Sequence, residues 1–297
     1  MIRLPDFLII GAMKAGTTTL HEYLSRHPQI FMSVTKEIQF FSQPAKYNLG
    51  LINYSHNFEA AGPSQIAGES STCYSRYPFY GDVPSLVKKD LPDVKLIYIM
   101  RNPSERVYSH YVHNMERRVR KGEAVAPLFE MINSDPEIIA ASQYDLQVEQ
   151  WRKHFDRAQI HLCILEDLIA NPTFVLSAIA EFIGVDPEGM PRGRIQNNKG
   201  GYRFAEVQTT KMLRALKGSR LLRPVADALP PTLRQLFLNA SRYALLNLFM
   251  RRRLRADLYS TLSEFDEGSR RELNAQFGPL VSRVERMLDR DLGVWRD

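Results

Sequence analysis

Cysteine is scarce in this 297-residue chain: Cys73 and Cys163 are the only two. Two thiols exclude a disulfide framework, and neither stands in a Cys-x-x-Cys pair. They read as free buried thiols of a reducing compartment, with a single bridge as the alternative. The seven histidines are scattered without HxxxH or HExxH spacing, so no metal centre is expected. Long apolar runs are missing as well. "YALLNLFM", from Tyr243 to Met250, is too short to cross a bilayer. Near the start, Pro5 and Asp6 interrupt the apolar residues, which argues against a signal peptide. No transmembrane segment, repeat or low-complexity tract is legible. The expectation is a soluble, cytoplasmic protein.

What the chain does have is core-forming material. Hydrophobic residues make up 44% and aromatic residues 10%, enough for one large domain or two small ones, and against global disorder. The net charge of +6 favours anionic ligands such as nucleotides, acidic glycans or membrane surfaces, although plain solubility charge gives the same value.

Periodicity predicts the elements. Asp6 to Ile10, Lys95 to Met100 ("KLIYIM") and the start of Ile160 to Leu168 read as buried parallel strands. Thr17 to Arg26, the segment after Pro103, the segment after Asn171 and Arg270 to Leu288 read as helices. Pro172 near the start and Gly184 near the end bound one of them. Strand and helix alternate, so the predicted fold is α/β: a P-loop-NTPase-like parallel sheet flanked by helices, with a helical C-terminal third. A single domain over 1–297 is expected, with 206–260 as a helical segment on the acceptor side.

The stretch "FLIIGAMKAGTTTL" places a small-residue loop between strand and helix, the arrangement that aims backbone N–H groups at a phosphate. Gly11 and Gly16 have the spacing of GxxxxGK[ST], but Thr17 occupies the lysine position and Lys14 stands three residues earlier. A Walker B strand ends in a carboxylate that helps hold Mg²⁺, whereas "KLIYIM" ends at Arg101. A cation there repels a metal and attracts a second phosphate. The two departures predict a nucleotide with two separate anionic groups, bound without magnesium. A loop whose glycines merely permit a tight turn is the structural alternative.

Four motifs then resemble sulfotransferases that use 3′-phosphoadenosine 5′-phosphosulfate (PAPS). "GAMKAGTTTL" resembles their phosphosulfate loop, and "RNPSERVYSHY" their 3′-phosphate element, with Arg101 and Ser109 eight apart. "KEIQFFS" resembles the motif of heparan sulfate N- and O-sulfotransferases in which the glutamate is the acceptor base, and "NKGGYRF" resembles the late loop that closes over the donor. "LDRDLGVW" is similar to the C-terminal end of many bacterial members. The late loop departs from the heparan enzymes' Lys-Gly-Arg: Gly201 and Tyr202 stand between Lys199-Gly200 and Arg203. Their loop-flanking cysteines have no counterpart. The resemblance implies a sulfotransferase with PAPS as donor, PAP as product and no metal. The acceptor would be a hydroxyl or amine of a saccharide or small metabolite.

Chemistry and resemblance together assign the expected roles. Charge grows on the leaving phosphate, so a cation and N–H donors are needed there: Lys14, the amides from Ala15 through Gly16 and Thr17 to Thr18, and the two threonine hydroxyls. Glu37 is the expected general base. Gln39 would share its side of an extended segment and orient acceptor or sulfonate, with Lys36 turned to solvent. Arg101 and Ser109 would read the 3′-phosphate, and Lys199, Gly200, Gly201, Tyr202 and Arg203 would clamp the donor. Each has a plainer alternative: a solvated loop lysine, a surface Lys36–Glu37 pair, a surface arginine pair, a helix serine, a simple turn. His110 takes no catalytic role in this reading, and "GESSTCY" from Gly68 to Tyr74 is expected on the acceptor side. The basic helices could touch an acidic glycan, a lipid surface or a carrier protein, but a solvated face is the commoner case. No nucleic-acid partner is assigned. Two competing functions remain: a P-loop kinase with an unusual lysine, and a non-catalytic module that binds nucleotide or acidic polymer.

Overall fold

The computed structural model describes residues 2–191, 193 and 265–296. The expected helical segment 206–260 lies outside them. The chain divides into two compact units: 1–113, 126–195 and 265–297 form the first, and 114–125 with 196–264 the second. Of the second unit the description covers 114–125, the end of a helix followed by a turn closed by Gly122 N–H on the Val119 carbonyl at 3.1 Å. Everything else below concerns the first unit.

Its centre is a five-stranded sheet: β1 Phe7–Gly11, β2 Ile30–Met32, β3 Ile66–Ser70, β4 Lys95–Met100 and β5 Ile160–Ile164. The order is β2-β3-β1-β4-β5, and every pairing is parallel. Such a sheet needs cover on both faces, which is why β1 is buried throughout and β4 at every position after Lys95. Between the strands run α1 Thr17–Leu24, α2 Pro44–Tyr47, α3 Gly50–Ser55, α4 Val83–Asp90, α5 Pro103–Arg120, α6 Leu128–Ser134, α7 Glu137–Ala140 and α8 Tyr144–Arg152. After β5 come α9 Leu165–Ala170, α10 Pro172–Ile183 and, near the C-terminus, α11 Glu267–Leu288.

Alternation along the strands sorts the two layers. Ile9, Ile97 and Ile99 join Leu20 and Leu24 of α1 and Leu176 and Ile179 of α10 in one apolar cluster. Tyr98, between two of those isoleucines, points the other way. Its ring meets Tyr144 of α8 at 6.2 Å, and Tyr144 meets Trp295 at 5.9 Å. The C-terminal "LGVW" therefore closes the second layer. Asp266 caps α11 by accepting from Ser269 N–H at 2.8 Å, and α10 ends on Gly184 in the left-handed region at φ 86°.

β1, β4, β5, α1, α10 and α11 stand where periodicity predicts them, with ends shifted by a few residues. β2 and β3 were not foreseen. β2 has three residues, and β3 reads Ile-Ala-Gly-Glu-Ser, with a single large apolar side chain. Both cysteines are free and buried. No helix among the described residues is long and apolar enough to cross a membrane.

β3 can lie against β1 because Gly68 has no side chain: a Cβ there would sit 2.2 Å from the Phe7 ring. Gly68→Ala is expected to cost about 1–3 kcal/mol through overpacking, read as a lowered denaturation midpoint. An unchanged midpoint would show that Phe7 has room to move.

Candidate active site

In a parallel sheet all carboxyl ends lie along one edge, and ligands bind beyond that edge where the strand order reverses. Here β1 and β4 are neighbours, with β3 and β2 on one side and β5 on the other. The segments leaving β1, β2, β3 and β4 carry Lys14, Glu37, Thr72 and Arg101 respectively, so four distant pieces of sequence are delivered to one edge.

The loop after β1 is held in an unusual conformation. Lys14 has φ 67° and Gly16 φ 94°. Gly16 suits this region, but Lys14 pays about 1–3 kcal/mol to be there. Gly16 also has no room for a side chain, since a Cβ would meet Leu165 at 2.5 Å. The turn closes through Ala15 N–H on the Ala12 carbonyl at 3.1 Å. α1 then starts on Gly16 with no side-chain cap, so the amides of Thr17, Thr18 and Thr19 find no acceptor among the described residues. Unspent amides at the positive end of a helix form an anion cradle. Thr17 is buried and Thr18 exposed.

Two arginines grip the loop, Arg101 from the segment after β4 and Arg106 from α5. Arg101 Nη1 donates to the Lys14 carbonyl at 3.4 Å, while its Nη2 pairs with Glu105 at 3.0 Å. Glu105 is shared with Arg270 of α11. Arg106 is fully buried and donates to the Met13 carbonyl at 3.3 Å, the Ile138 carbonyl and the Ser142 hydroxyl. Burial pulls its guanidinium down to about 10, so it keeps its charge at neutral pH. Among the described residues no carboxylate pairs with it. A buried cation with only neutral partners leaves positive charge directly beneath the loop.

The second cluster lies at the ends of β2 and β3. Glu37 and Gln39 also have positive φ, 61° and 62°; with Lys14 they are three of the four described non-glycine residues in that region. The expected extended alternation is therefore wrong. Ile38 is buried between them, and each turns through the left-handed region instead. Lys36 does not turn to solvent either; its ammonium pairs with Glu37 Oε1 at 2.8 Å. Glu37 is nevertheless more than a surface partner, because Thr72 donates to it from its backbone N–H at 2.8 Å and from its hydroxyl at 3.2 Å. Gln43 donates to the Gln39 side-chain carbonyl, which leaves the Gln39 amide hydrogens as the groups that can be offered outward.

Two histidines sit beside these loops and both are neutral at pH 7. His21 of α1 contacts the Ser70 hydroxyl at 3.0 Å; burial and the nearby Lys36 charge pull it down to about 4. His110 faces Arg106 Nη1 at 3.3 Å, and burial followed by Arg106, Arg76, His113 and Lys14 pulls it down to about 2. Arg106 can only donate, so His110 Nδ1 accepts and its proton resides on Nε2. Ser109, one residue earlier, is buried and its hydroxyl makes no hydrogen bond among the described residues.

The structure thus gathers Lys14, Ala15, Gly16, Thr17 and Thr18 with Arg101, and ties Glu37 and Gln39 to the end of β3. No hydrogen bond joins Ser109 to Arg101; the Arg101 guanidinium bonds the Lys14 carbonyl and Glu105. Lys199, Gly200, Gly201, Tyr202 and Arg203 lie outside the described residues. Sequence reasoning passed over Arg106, although Arg106, Ser109 and His110 follow the i, i+3, i+4 spacing of one helix face. It also passed over Glu69, whose burial no local pattern signals.

Residues 4–221 match the family model of the sulfotransferase domain. Human heparan sulfate glucosamine 3-O-sulfotransferase 5 is 30% identical over 193 residues, covering 62% of this chain and 55% of that protein. Human bifunctional heparan sulfate N-deacetylase/N-sulfotransferase 2 is 28% identical over 207 residues, 62% of this chain and 22% of that protein. The chain thus spans about half the length of the first relative and about a fifth of the second. A solved sulfotransferase from Alicyclobacillus acidocaldarius shares the fold over 100% of both chains, at TM-score 0.66 and 23% identity.

The neutral His110 links stability to pH. Its folded value near 2 lies below the ordinary 6.5, so as pH falls the unfolded chain binds the proton first. Its contribution is complete above pH 6.5 and is lost as pH falls toward 2, at about 1.4 kcal/mol per pH unit. Denaturation of His110→Gln between pH 6 and 4.5 (roughly the upper part of that window) is expected to show a shallower loss of stability than the parent. Equal slopes would contradict the assignment.

Proposed function

The chain belongs to the sulfotransferase domain family, and we propose that it transfers a sulfuryl group from PAPS to a hydroxyl or amine of a saccharide or small metabolite. The observation that carries this reading is the pairing of an anion cradle with a carboxylate on the same sheet edge. Unspent amides at the start of α1 and the buried Arg106 charge favour a phosphosulfate, and Arg101 leaves β4 where a Walker carboxylate would hold magnesium.

In the transfer, the acceptor oxygen or nitrogen forms a bond to sulfur as the bond from sulfur to the phosphate oxygen breaks. The acceptor's proton passes to Glu37. The electron pair of the broken bond stays on the 5′-phosphate of PAP, where Lys14 and the amides of residues 16–18 stabilise it; the Ala15 N–H, expected among these donors, is spent on the Ala12 carbonyl. Gln39 orients acceptor or sulfonate through its amide hydrogens. Arg101 and Ser109 read the 3′-phosphate, and residues 199–203 complete the donor site. The relatives named above act, by their names, on heparan sulfate; a saccharide acceptor is the corresponding reading for this chain. One catalytic domain, with 206–260 on the acceptor side, and a cytoplasmic location belong to the same proposal. The two buried free thiols support that location.

Calorimetry without divalent metal is expected to show PAP binding, weakened about 10–100-fold by Arg101→Ala, with AMP affected much less. Equal loss for both nucleotides would remove the 3′-phosphate site. Glu37→Gln is expected to keep PAP affinity and lower turnover of PAPS by about 10²–10⁴-fold. Unimpaired turnover would reject Glu37 as the base, and a strict magnesium requirement with ATP turnover would favour a kinase.

A further inference from the structure

Glu37 and Gln39 stand in backbone conformations that their side chains disfavour, so something must hold them there. The contacts are specific. Glu37 N–H donates to the Ser70 carbonyl at 2.8 Å, and Gln39 N–H donates to the Ser71 hydroxyl at 2.9 Å. That hydroxyl in turn donates to Glu69 Oε1. Glu69 is fully buried on β3 and takes two more hydroxyl donors, Tyr54 on Oε2 and Tyr74 on Oε1, the latter at 2.9 Å. Lys46 closes the far side of the loop by donating to the Ile38 carbonyl at 2.6 Å.

A hydroxyl has one proton. Because Glu69 accepts the Ser71 proton, the Ser71 oxygen is left to accept from Gln39 N–H. Without the carboxylate, the hydroxyl is free to rotate and its lone pairs are no longer aimed at that amide. A buried carboxylate surrounded by hydroxyls is costly to desolvate, and nothing in the sheet requires one at this position. Its neighbours on β3, Gly68 and Ser70, are small.

We propose that Glu69, acting through Ser71, is a positioning residue that holds the Glu37–Gln39 turn in its strained conformation and so aims the Glu37 carboxylate at the acceptor. This rests on the proposed role of Glu37 as base. Glu69 touches neither donor nor acceptor; it orients the Ser71 hydroxyl, and that hydroxyl fixes the turn.

The test compares the parent with Ser71→Ala, Ser71→Thr and Glu69→Gln in the full chain. Hydrogen exchange over residues 36–39 reads the turn itself, PAP calorimetry reads the donor site, and release of PAP from PAPS with water as acceptor reads the chemistry. Ser71→Ala is expected to speed exchange at 36–39 by at least about tenfold while β1 and β4 keep their protection and PAP affinity stays within about twofold. PAP release is expected to fall about tenfold or more, and Ser71→Thr, which restores a hydroxyl, to recover most of both losses. In a Glu37→Gln background, Ser71→Ala is expected to cause no additional loss of PAP release. Unchanged exchange at 36–39 in Ser71→Ala, or an equal loss of PAP release with and without Glu37, would overturn the proposal even if Glu69→Gln does not fold. Failure of the parent to bind PAP would instead strike the sulfotransferase reading, while the exchange result would still decide whether Ser71 holds the turn.

Discussion

A buried guanidinium organises the candidate active site. Arg106 has no access to solvent and no carboxylate partner among the described residues; its donors end on the Met13 carbonyl, the Ile138 carbonyl, the Ser142 hydroxyl and His110. Those acceptors belong to the loop after β1, to α7, to the turn before α8 and to α5 itself. Losing any of them leaves a buried guanidinium N–H without an acceptor, which costs about 1–3 kcal/mol, so these pieces keep a common arrangement. The same charge lies beneath a loop whose next amides, at the start of α1, are unspent. Structure and electrostatics therefore favour one kind of occupant, a compact anion.

Backbone strain marks the same places. Lys14, Glu37 and Gln39 occupy a region of conformational space that ordinary side chains avoid, and such residues persist only where their surroundings over-determine them. For Lys14 the surroundings include Arg101 and the turn closed on Ala12. For Glu37 and Gln39 they are Ser70, Ser71, Thr72 and the buried Glu69. The parallel sheet supplies the frame: because every strand runs the same way, loops far apart in sequence leave it at one edge. The C-terminal segment braces that edge. Asn102 caps the start of α5 through its side-chain carbonyl and donates to the Trp295 carbonyl at 3.0 Å, while Arg270 shares Glu105 with Arg101.

Much of this is legible in the sequence, for physical reasons. β1 and β4 are central strands buried on both faces, so they appear as continuous apolar runs before a glycine and an arginine. The displaced Lys14 is visible because the rest of the phosphate loop is intact. β2 is illegible because it has only three residues, and β3 because pairing with its neighbours, rather than apolar content, makes it a strand. The orientation of Glu37 and Gln39 fails for a different reason. Alternation presumes extended backbone, and only tertiary hydrogen bonds from the end of β3 impose the left-handed turns. Lys36 follows from that turn: once Glu37 swings back, its neighbour's ammonium lies beside it. Arg106 looks like any helix cation, since its burial depends on acceptors 32 and 93 residues away.

The most direct measurement is a crystal structure of the protein with PAP, grown without divalent metal. The 5′-phosphate is expected against the amides of residues 16–18 and the Lys14 ammonium, with Arg101 on the 3′-phosphate and no ion between nucleotide and protein. A nucleotide bound away from the carboxyl edge of the sheet, or one that binds only with magnesium bridging its phosphates, would contradict the account.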